Sequence, residues 1–373
     1  MTSSSGARTR PQISGFNYVR PLGSGGFAHV YQYEQDMPRR VVAIKVLKDG
    51  VADAHGRAAF DAEADAMARL SSHPSIVSIY MASVSSDGHP FIAMEYCPES
   101  FRTRSTGSVV PLAEVLDAGV RLAGALETAH QSGVLHRDIK PSNVLRATTG
   151  RPLLADFGIV SLRGQMRGEY TDRAMSIPWA APEVVTGATS GTIASEIWAL
   201  GATLYTFAAG QPPFGRATKK GTDHELMARI SRAKYTPVPG AQGYEAFDSV
   251  MSRAVAKDPA QRFGSMHELG LAMQQLQRHY GIDVTPLDVV SSTWVTPATT
   301  VQGVRGPTIS SVQPNGRAAK RAALAAAPAD RTRTRKRAGS SGGGAMKPAL
   351  IGVGAGVAVL AVAGVVVALM GGL

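Results

Sequence analysis

The sequence predicts an α+β fold of two lobes, the first small and mostly β with one helix, the second larger and mostly α. Five β-prone runs and one amphipathic helical pattern precede Tyr96. Helical periodicity then dominates from Leu112 to His279. Residues 134–145 interrupt it with polar and charged groups between apolar pairs, a pattern typical of a rigid loop that presents side chains.

Length and composition allow two ordinary domains or one large domain with appendages, because 373 residues with 44% hydrophobic side chains can bury a sizeable core. Cys97 is the single cysteine, which excludes an internal disulfide and fits a reducing compartment. The first ten residues contain no apolar run, so no secretory signal peptide is predicted. Residues 1–14 are expected to form a disordered leader.

The formal charge of +11 is a local feature, because residues 317–347 hold nine basic residues and one acid. This distribution argues against a nucleic-acid partner. The uncharged residues that follow predict a transmembrane helix over 348–373, since residues 349–370 would span roughly 33 Å of a bilayer core of about 30 Å. Basic residues flank a span on its cytoplasmic side, so we expect a cell-membrane protein with its two lobes on the cytoplasmic side. Gly352 and Gly356 favour a homodimer, although such pairs also arise by chance in a segment rich in glycine and alanine.

The small lobe offers two phosphate-binding candidates. Residues 18–31 place a glycine cluster between two β-prone runs, which predicts a hairpin whose backbone N–H groups could cradle phosphate. Lys45 interrupts the apolar strand 41–47 and is either a snorkelling residue or a phosphate-binding cation. Its candidate partner is Glu63, which lies beside the apolar stripe of a predicted helix over 57–70. Strands are predicted over 76–80 and 91–96.

The loop 134–145 carries candidates for phosphoryl transfer, although short charged runs are usually solvated surface. Asp138 could accept a proton, Lys140 could neutralise a phosphate oxygen, and Asn143 offers an amide oxygen to a hard metal ion. A helix is predicted over 112–132 before the loop and a short strand over 153–155 after it. That strand ends at Asp156, which is either a metal ligand or a turn former.

Six motifs in order make residues 16–279 resemble a bacterial, eukaryotic-like (Hanks-type) serine/threonine protein kinase. They are the glycine loop, Val42-Ala43-Ile44-Lys45, the helix acid Glu63, His136-Arg137-Asp138 with Asn143, Asp156-Phe157-Gly158, and Ala181-Pro182-Glu183. The resemblance implies the bilobal protein kinase fold, with lobes over 15–97 and 98–280. It also implies protein substrates, ATP, and Mg²⁺ with Mn²⁺ as an alternative ion.

The resemblance assigns roles to single residues. Asp138 would accept the proton of the substrate hydroxyl, Lys140 would steady the γ-phosphoryl group, and Asn143 and Asp156 would bind the metal. Lys45, paired with Glu63, would hold the α- and β-phosphates. The residues that would bind ATP are Leu22, Gly23, Ser24, Gly25, Gly26, Phe27, Val30, Ala43, Lys45, Met94, Glu95, Cys97 and Leu145.

Other matching residues narrow the expectation. Lys140 is typical of serine/threonine kinases, and Glu183 with Arg262 matches a buried ion pair. Arg137 suggests control by phosphorylation of the loop at 159–180, with Thr171 preferred and Ser161 as the alternative site. The departures from the family pattern are Ala28 for the third glycine of the loop, Met175 for a glycine, Ser176 for a threonine, and Glu196 for an aspartate that braces the catalytic loop. The longer Glu196 side chain could misplace that support.

Residues 281–347 are rich in Pro, Thr, Ser, Ala and Arg and predict a disordered juxtamembrane linker, which could recruit a phosphothreonine-binding partner. Two alternative functions remain. A pseudokinase scaffold would bind ATP without transferring phosphate, and a small-molecule kinase of related fold would lack the peptide-docking role of residues 181–183.

Overall fold

The computed structural model describes residues 11–25, 28–48, 54–105, 107–157, 176–216, 223–240 and 242–290. Within them the chain forms the two lobes that the sequence predicts. The smaller lobe is built on an antiparallel sheet of order β1-β2-β3-β5-β4. Its strands are β1 Phe16–Ser24, β2 Ala28–Gln35, β3 Arg40–Leu47, β4 Ile79–Val84 and β5 Pro90–Glu95.

Helix α1 (Ala54–Leu70) covers the inner face of this sheet. Phe60, Met67 and Leu70 lie on its apolar face and are at most 2% exposed. They pack in one cluster with Leu47 of β3 and Ile92 of β5. The expected stripe is therefore real, and it fixes Glu63 on the side of α1 that faces the sheet.

Residues 11–14, which the sequence assigned to a disordered leader, pack on the outer face of the sheet. Ile13 is 7% exposed and joins a second apolar cluster with Tyr33 and Phe91. The Tyr33 hydroxyl donates to the Pro11 carbonyl at 2.7 Å, and the Ser86 hydroxyl donates to that of Gln12 at 2.8 Å. The leader prediction was wrong for these residues because the outer face is also apolar and needs a cover.

The larger lobe is organised around α3 (Leu112–Gln131) and α5 (Ile193–Ala209). Both helices are buried on most sides, so their side chains form the centre of the main core. A capping box of Thr192 and Ser195 begins α5, and Gly210 ends it with a φ of 70°. The other helices are α2 Phe101–Ser105, α4 Pro182–Val185, α6 Asp223–Arg232, α7 Glu245–Ala254 and α8 Met266–His279.

A small sheet of order β6-β7-β8 joins the lobes next to the loop 134–145. Its strands are β6 Glu99–Ser100, β7 Val144–Arg146 and β8 Pro152–Leu154. Leu154 of β8 bonds the chain after α1, because its N–H donates to Ser75 and its carbonyl accepts from Val77, at 2.9 and 3.0 Å. Residues 75–77 therefore pair with the larger lobe, and the strand expected over 76–80 begins only at Ile79.

Residues 281–290 were expected to begin the disordered linker, but they fold back on the larger lobe. Gly281, with a φ of 65°, ends α8, and the Ile282 N–H donates to the Gln277 carbonyl at 2.8 Å. Thr285 is 6% exposed, and Leu287 packs against the main core. Polar residues in this segment find partners on α3 and α8, which composition alone does not reveal.

Several expectations lie outside the described residues. They include the linker from residue 291 to 347, the apolar segment 348–373, and most of the loop that holds Ser161, Thr171 and Met175. No helix within the described part of the chain has the length and apolarity that a bilayer crossing requires.

Candidate active site

The loop 134–145 is held in place by buried apolar residues and by an acid from α5. Ile139 and Val144 are 3% and 0% exposed and anchor the loop in the main core. Arg137 has a φ of 62°, a left-handed conformation that costs free energy in a non-glycine residue. Its N–H donates to Glu196 Oε1 at 2.6 Å, which offsets part of that cost and fixes the backbone just before Asp138.

Asp138 is the centre of a polar cluster. Its Oδ2 lies 2.9 Å from Lys140 Nζ and accepts from Asn143 Nδ2 at 3.1 Å. Its Oδ1 accepts from the Ser176 hydroxyl at 2.9 Å, and Lys140 Nζ donates to that same hydroxyl oxygen at 2.9 Å. The carboxylate is thus oriented from both sides, which suits a group that must meet a substrate hydroxyl in one geometry. Ser176 keeps the hydroxyl that this contact needs.

On the opposite side of the site, Lys45 lies between two carboxylates. Its Nζ lies 2.8 Å from Glu63 Oε1 and 3.0 Å from Asp156 Oδ1. Burial works against the charge on Lys45, but Asp156 and Glu63 outweigh it and raise the pKa of the ammonium group. Burial likewise opposes ionisation of Asp156, and Lys45 reverses the balance and lowers its pKa. Lys45 and Asp156 are therefore both ionised near neutral pH.

A backbone hydrogen bond brings together the two predicted metal ligands, Asn143 and Asp156. The Ala155 N–H donates to the Asn143 carbonyl at 2.9 Å, and Asp156 follows directly, with a φ of 61° and a side chain that is 45% exposed. Asn143 Nδ2 is used by Asp138, at 2.8 Å from the main-chain oxygen, so the amide oxygen is the end that remains for a cation. A carboxylate and an amide oxygen fit Mg²⁺, which keeps waters and phosphate oxygens as its other ligands. Among the described residues no cluster of three or more His, Cys, Asp and Glu could hold a metal by itself.

The predicted nucleotide site combines the glycine loop with apolar side chains. The structure gathers its apolar members in the main cluster: Leu22, Val30, Ala43, Met94, Cys97 and Leu145. Burial, helped by Glu95, raises the pKa of the Cys97 thiol to about 12, so it is neutral. The Glu95 N–H donates to the Ser78 carbonyl at 2.9 Å. In the glycine loop, a Cβ on Gly23 would meet nothing within 4 Å, and Gly25 N–H donates to Ala28 at 2.9 Å, whereas Gly26 and Phe27 are not described.

His136 connects the two sides of the site through hydrogen bonds to the backbone at Ala155 and Asp138. Its Nε2 donates to the Ala155 carbonyl at 2.9 Å, and its Nδ1 accepts from the Asp138 N–H at 3.2 Å. This pairing requires the neutral Nε2–H tautomer, and burial lowers the pKa of the ring, which keeps it neutral. The ring also packs on Phe157 with centroids 4.7 Å apart.

His130 is a site residue to which no sequence motif assigned a role. It lies in the last turn of α3, and its Nε2 pairs with Glu196 Oε2 at 2.6 Å in a setting where both side chains are at most 3% exposed. Glu196 therefore bridges His130 and the Arg137 N–H, and the longer side chain keeps the support that it was expected to misplace. The signal in the sequence was a histidine on the apolar face of a helix, at the spacing of Leu126.

The predicted ion pair of the larger lobe forms as two parallel contacts. Arg262 donates to Glu183 at 2.6 and 2.9 Å, and one of its nitrogens also reaches the Ala194 carbonyl at 2.9 Å. The Arg262 side chain is 0% exposed. It thereby ties residues 181–183 to α5, which borders an open groove beside Asp138. That groove is also lined by Ser176, Trp179 and Val184.

This arrangement suits transfer of a phosphoryl group from a bound nucleotide to a hydroxyl. A cation and two metal ligands stand on the nucleotide side, and a base with its own cation stands beside the groove. Fold and site together define a protein kinase domain with the serine/threonine form of the catalytic loop.

The chain belongs to the protein kinase domain family, which matches residues 16–280. It is 37% identical over 276 residues to the serine/threonine-protein kinase PknK of Mycobacterium bovis, an alignment that covers 73% of this chain and 24% of that protein. It is 32% identical over 262 residues to the probable serine/threonine-protein kinase PknB of Lactococcus lactis, covering 68% and 40% of the two chains. The chain thus spans less than half of either relative.

A solved structure shows the same fold. The kinase domain of PknI from Mycobacterium tuberculosis superposes with a TM-score of 0.50 at 31% sequence identity. The match covers 74% of this chain and 99% of that domain. Bacterial serine/threonine kinases are thus the relatives of this chain, as the motif order in the sequence suggested.

Proposed function

We propose that this chain is a membrane-anchored serine/threonine protein kinase that transfers the γ-phosphoryl group of ATP to protein hydroxyls. The observation that carries the proposal is the Asp138 carboxylate, held by Lys140 and Ser176 at 2.9 Å each beside an open groove. ATP with Mg²⁺ supplies the transferable group and the metal charge. Mn²⁺ has the same ligand preference for oxygen and is an alternative ion.

The residues of the chain position the reactants and balance charge. Asp138 orients the substrate hydroxyl and takes its proton as the new oxygen–phosphorus bond forms and the bond to the leaving ADP breaks. Lys140 stands close enough to Asp138 to neutralise charge on the transferred group. Lys45, charged and fixed by Glu63, would hold the α- and β-phosphates, while Asn143 and Asp156 would hold the metal.

The test is Asp138→Asn in the full chain, with Asp61→Asn on the exposed side of α1 as the matched control. We expect phosphate transfer to a generic protein substrate to fall about 10³-fold in Asp138→Asn, since general bases contribute about 10²- to 10⁴-fold. Binding of a fluorescent ATP analogue should persist. If the wild-type chain binds this nucleotide without Mg²⁺-dependent transfer, the pseudokinase scaffold replaces the proposal.

Control by phosphorylation rests on Arg137, whose side chain lies against Gly191 on the groove side, where a Cβ on Gly191 would be 3.4 Å from Arg137 Cγ. Thr171 is the proposed autophosphorylation site and Ser161 the alternative. Phosphopeptide mapping after incubation with ATP tests both, and an unmodified loop in a fully active enzyme would contradict the proposal.

Membrane anchoring rests on the sequence alone, through the uncharged residues 349–373 and the basic residues before them. We expect the full chain in the membrane fraction with the kinase domain on the cytoplasmic side, and a chain ending at residue 347 in the soluble fraction. Protein substrates, a phosphothreonine-binding partner at the linker and a homodimer through Gly352 and Gly356 complete the proposal. Crosslinking with and without Gly356→Leu tests the dimer.

A further inference from the structure

Residues 282–290, here named the C-terminal strap, pack on the larger lobe and are held there by specific hydrogen bonds. Thr285 holds its centre, because its N–H donates to Gln277 Oε1 at 2.9 Å and its hydroxyl donates to Asp117 Oδ1 at 2.8 Å. Gln277 Nε2 and Gln274 Nε2 donate to the hydroxyl and the carbonyl of Thr285, both at 2.8 Å. Gln277 is 0% exposed. Side chains of α3 and α8 thus hydrogen-bond the N–H, the hydroxyl and the carbonyl of Thr285.

Two helix glycines make room for the strap. A Cβ on Gly124 of α3 would lie 2.1 Å from the Asp288 carbonyl oxygen, and one on Gly270 of α8 would lie 2.8 Å from a Leu287 methyl carbon. Glycine is poorly suited to helix interiors, so its presence at these two contacts needs a packing reason. The reason is the close approach of the strap.

The end of the strap reaches the loop that follows α1. The Asp288 carbonyl accepts from His73 Nε2 at 2.9 Å, and its carboxylate pairs with Arg151 at 2.6 Å. His73 Nδ1 accepts from the Ser75 N–H at 3.0 Å, and Arg151 Nε donates to the Ser75 hydroxyl at 3.1 Å. These four residues form a closed polar ring. His73 and Ser75 are 1% and 0% exposed.

The ring borders both elements that bring acids to Lys45. His73 follows the end of α1, the helix that carries Glu63. Arg151 precedes β8, and Leu154 of β8 pairs with Ser75 and Val77 two residues before Asp156. A strap that holds the ring in place therefore also positions the end of α1, which carries Glu63, and the start of β8, which leads to Asp156. Its last described residue, Val290, donates its N–H to Thr128 of α3 at 3.0 Å.

We propose that the C-terminal strap positions the loop after α1, and through it Glu63 and Asp156, so that the active arrangement depends on a segment C-terminal to α8. Thr285 and Asp288 are positioning residues and touch no reactant. Because the strap continues directly into residues 291–373, whatever binds that part of the chain acts first on the strap. The effect on catalysis rests on the proposed kinase function, but the effect on the loop does not.

The test compares Gly124→Ala and Asp288→Ala with the matched control Asp283→Ala, an exposed acid of the same strap, all in the full chain. Gly124→Ala keeps a good helix former in α3 but drives the strap away from its seat. Two readouts are measured: hydrogen exchange of residues 71–78 and 282–290, and kcat with KM for ATP well below the unfolding temperature.

We expect Gly124→Ala to raise hydrogen exchange in both segments by about ten-fold or more and to lower kcat about five-fold. Asp288→Ala should change both quantities in the same direction but by less. Asp283→Ala should change neither the exchange nor kcat. A strap that only adds stability would lower Tm and leave exchange in 71–78 and kcat unchanged, which overturns the proposal. Unchanged exchange at 282–290 in Gly124→Ala overturns it as well. If Gly124→Ala fails to fold, Asp288→Ala decides by the same two readouts. If the wild-type chain transfers no phosphate, the proposed function fails while the exchange experiment still judges the strap.

Discussion

Arg137 and Asp156, which flank the chemistry of the site, both have φ angles near 60°. Such backbone conformations persist only where the surroundings hold them. The Arg137 N–H bonds Glu196, and Asp156 is paired with Lys45 and preceded by Ala155, whose backbone bonds Asn143 and His136. At both residues the supporting contacts come from distant parts of the chain.

Glu63 should matter for activity through Lys45. We expect Glu63→Gln to lower kcat/KM for ATP about 10- to 100-fold, because the amide no longer supplies the charge that holds the Lys45 ammonium in place. Steady-state kinetics with varied ATP measures it. Asp65→Asn, an exposed acid on the same helix, serves as the control and should behave as wild type.

Ser176 should act through its hydroxyl, which bridges Asp138 and Lys140 at 2.9 Å each. We expect Ser176→Ala to lower kcat about 10-fold with little change in KM for ATP, since the nucleotide side of the site is untouched. Ser176→Thr keeps the hydroxyl and should retain activity. Equal losses in both variants would contradict a role for the hydroxyl.

At the residue scale, motif order in the sequence predicted the groups that meet at Lys45 and Asp138. It did not predict the roles of His130 or Thr285. Lys45, Asp138 and Asn143 sit in short motifs whose spacing carries the information. His130 bonds Glu196, 66 residues away along the chain, and Thr285 bonds Asp117, 168 residues away, so only tertiary packing brings these partners together.

Among the elements, α5 carries the buried acid that supports the catalytic loop. We expect Glu196→Ala to reduce the free energy of unfolding by about 3 to 5 kcal/mol, because it leaves His130 and the Arg137 N–H without their buried acceptor. Urea denaturation measures the change. Glu99→Ala, an exposed acid at the edge of the small sheet, is the comparison and should lie within about 0.5 kcal/mol of wild type.

Helices α1 and α3 were predictable because a steady apolar period marks each of them, and strands β3 and β5 because each is a nearly continuous apolar run. The small sheet β6-β7-β8 was predicted only at residues 153–155, since strands of two or three residues have no measurable period. The strand over 76–80 began later than expected because Ile76 and Val77 pair with Leu154 instead. Such pairing is a property of the assembled lobes.

For the whole molecule, stability should depend on pH through two buried histidines. Burial lowers the pKa of His136 and of His73 below the ordinary value of 6.5, so the unfolded chain binds more protons than the folded chain as the pH falls through that value. Stability is thus complete above about pH 6.5 and declines toward pH 5, by up to about 1.4 kcal/mol per pH unit for each histidine. Asp156 does not contribute in this window, because Lys45 lowers its pKa further.

Urea denaturation between pH 5 and 7.5 tests this dependence. His136→Phe keeps a ring against Phe157 but cannot be protonated, so it should be less stable throughout and show a shallower slope between pH 5 and 6.5. An unchanged slope would assign the pH dependence to other groups.

The two-lobed architecture followed from the order of strand and helix patterns, and the structure and relatives agree with it. The folded ends of the domain could not be predicted from these patterns. Residues 11–14 and 281–290 read as polar or irregular, yet each carries an apolar residue, Ile13 or Leu287, that packs on a core. A single apolar residue without periodicity gives no signal in a sequence pattern.

The cover that residues 11–14 give to the outer sheet face has a practical consequence for recombinant work. A protein cut to residues 16–280, the limits of the family match, would expose the apolar surface around Tyr33 and Phe91 to solvent. Newly exposed patches of this kind promote aggregation. We expect a fragment of residues 11–290 to elute as a single species in size-exclusion chromatography, whereas the shorter one gives low yield and soluble aggregates.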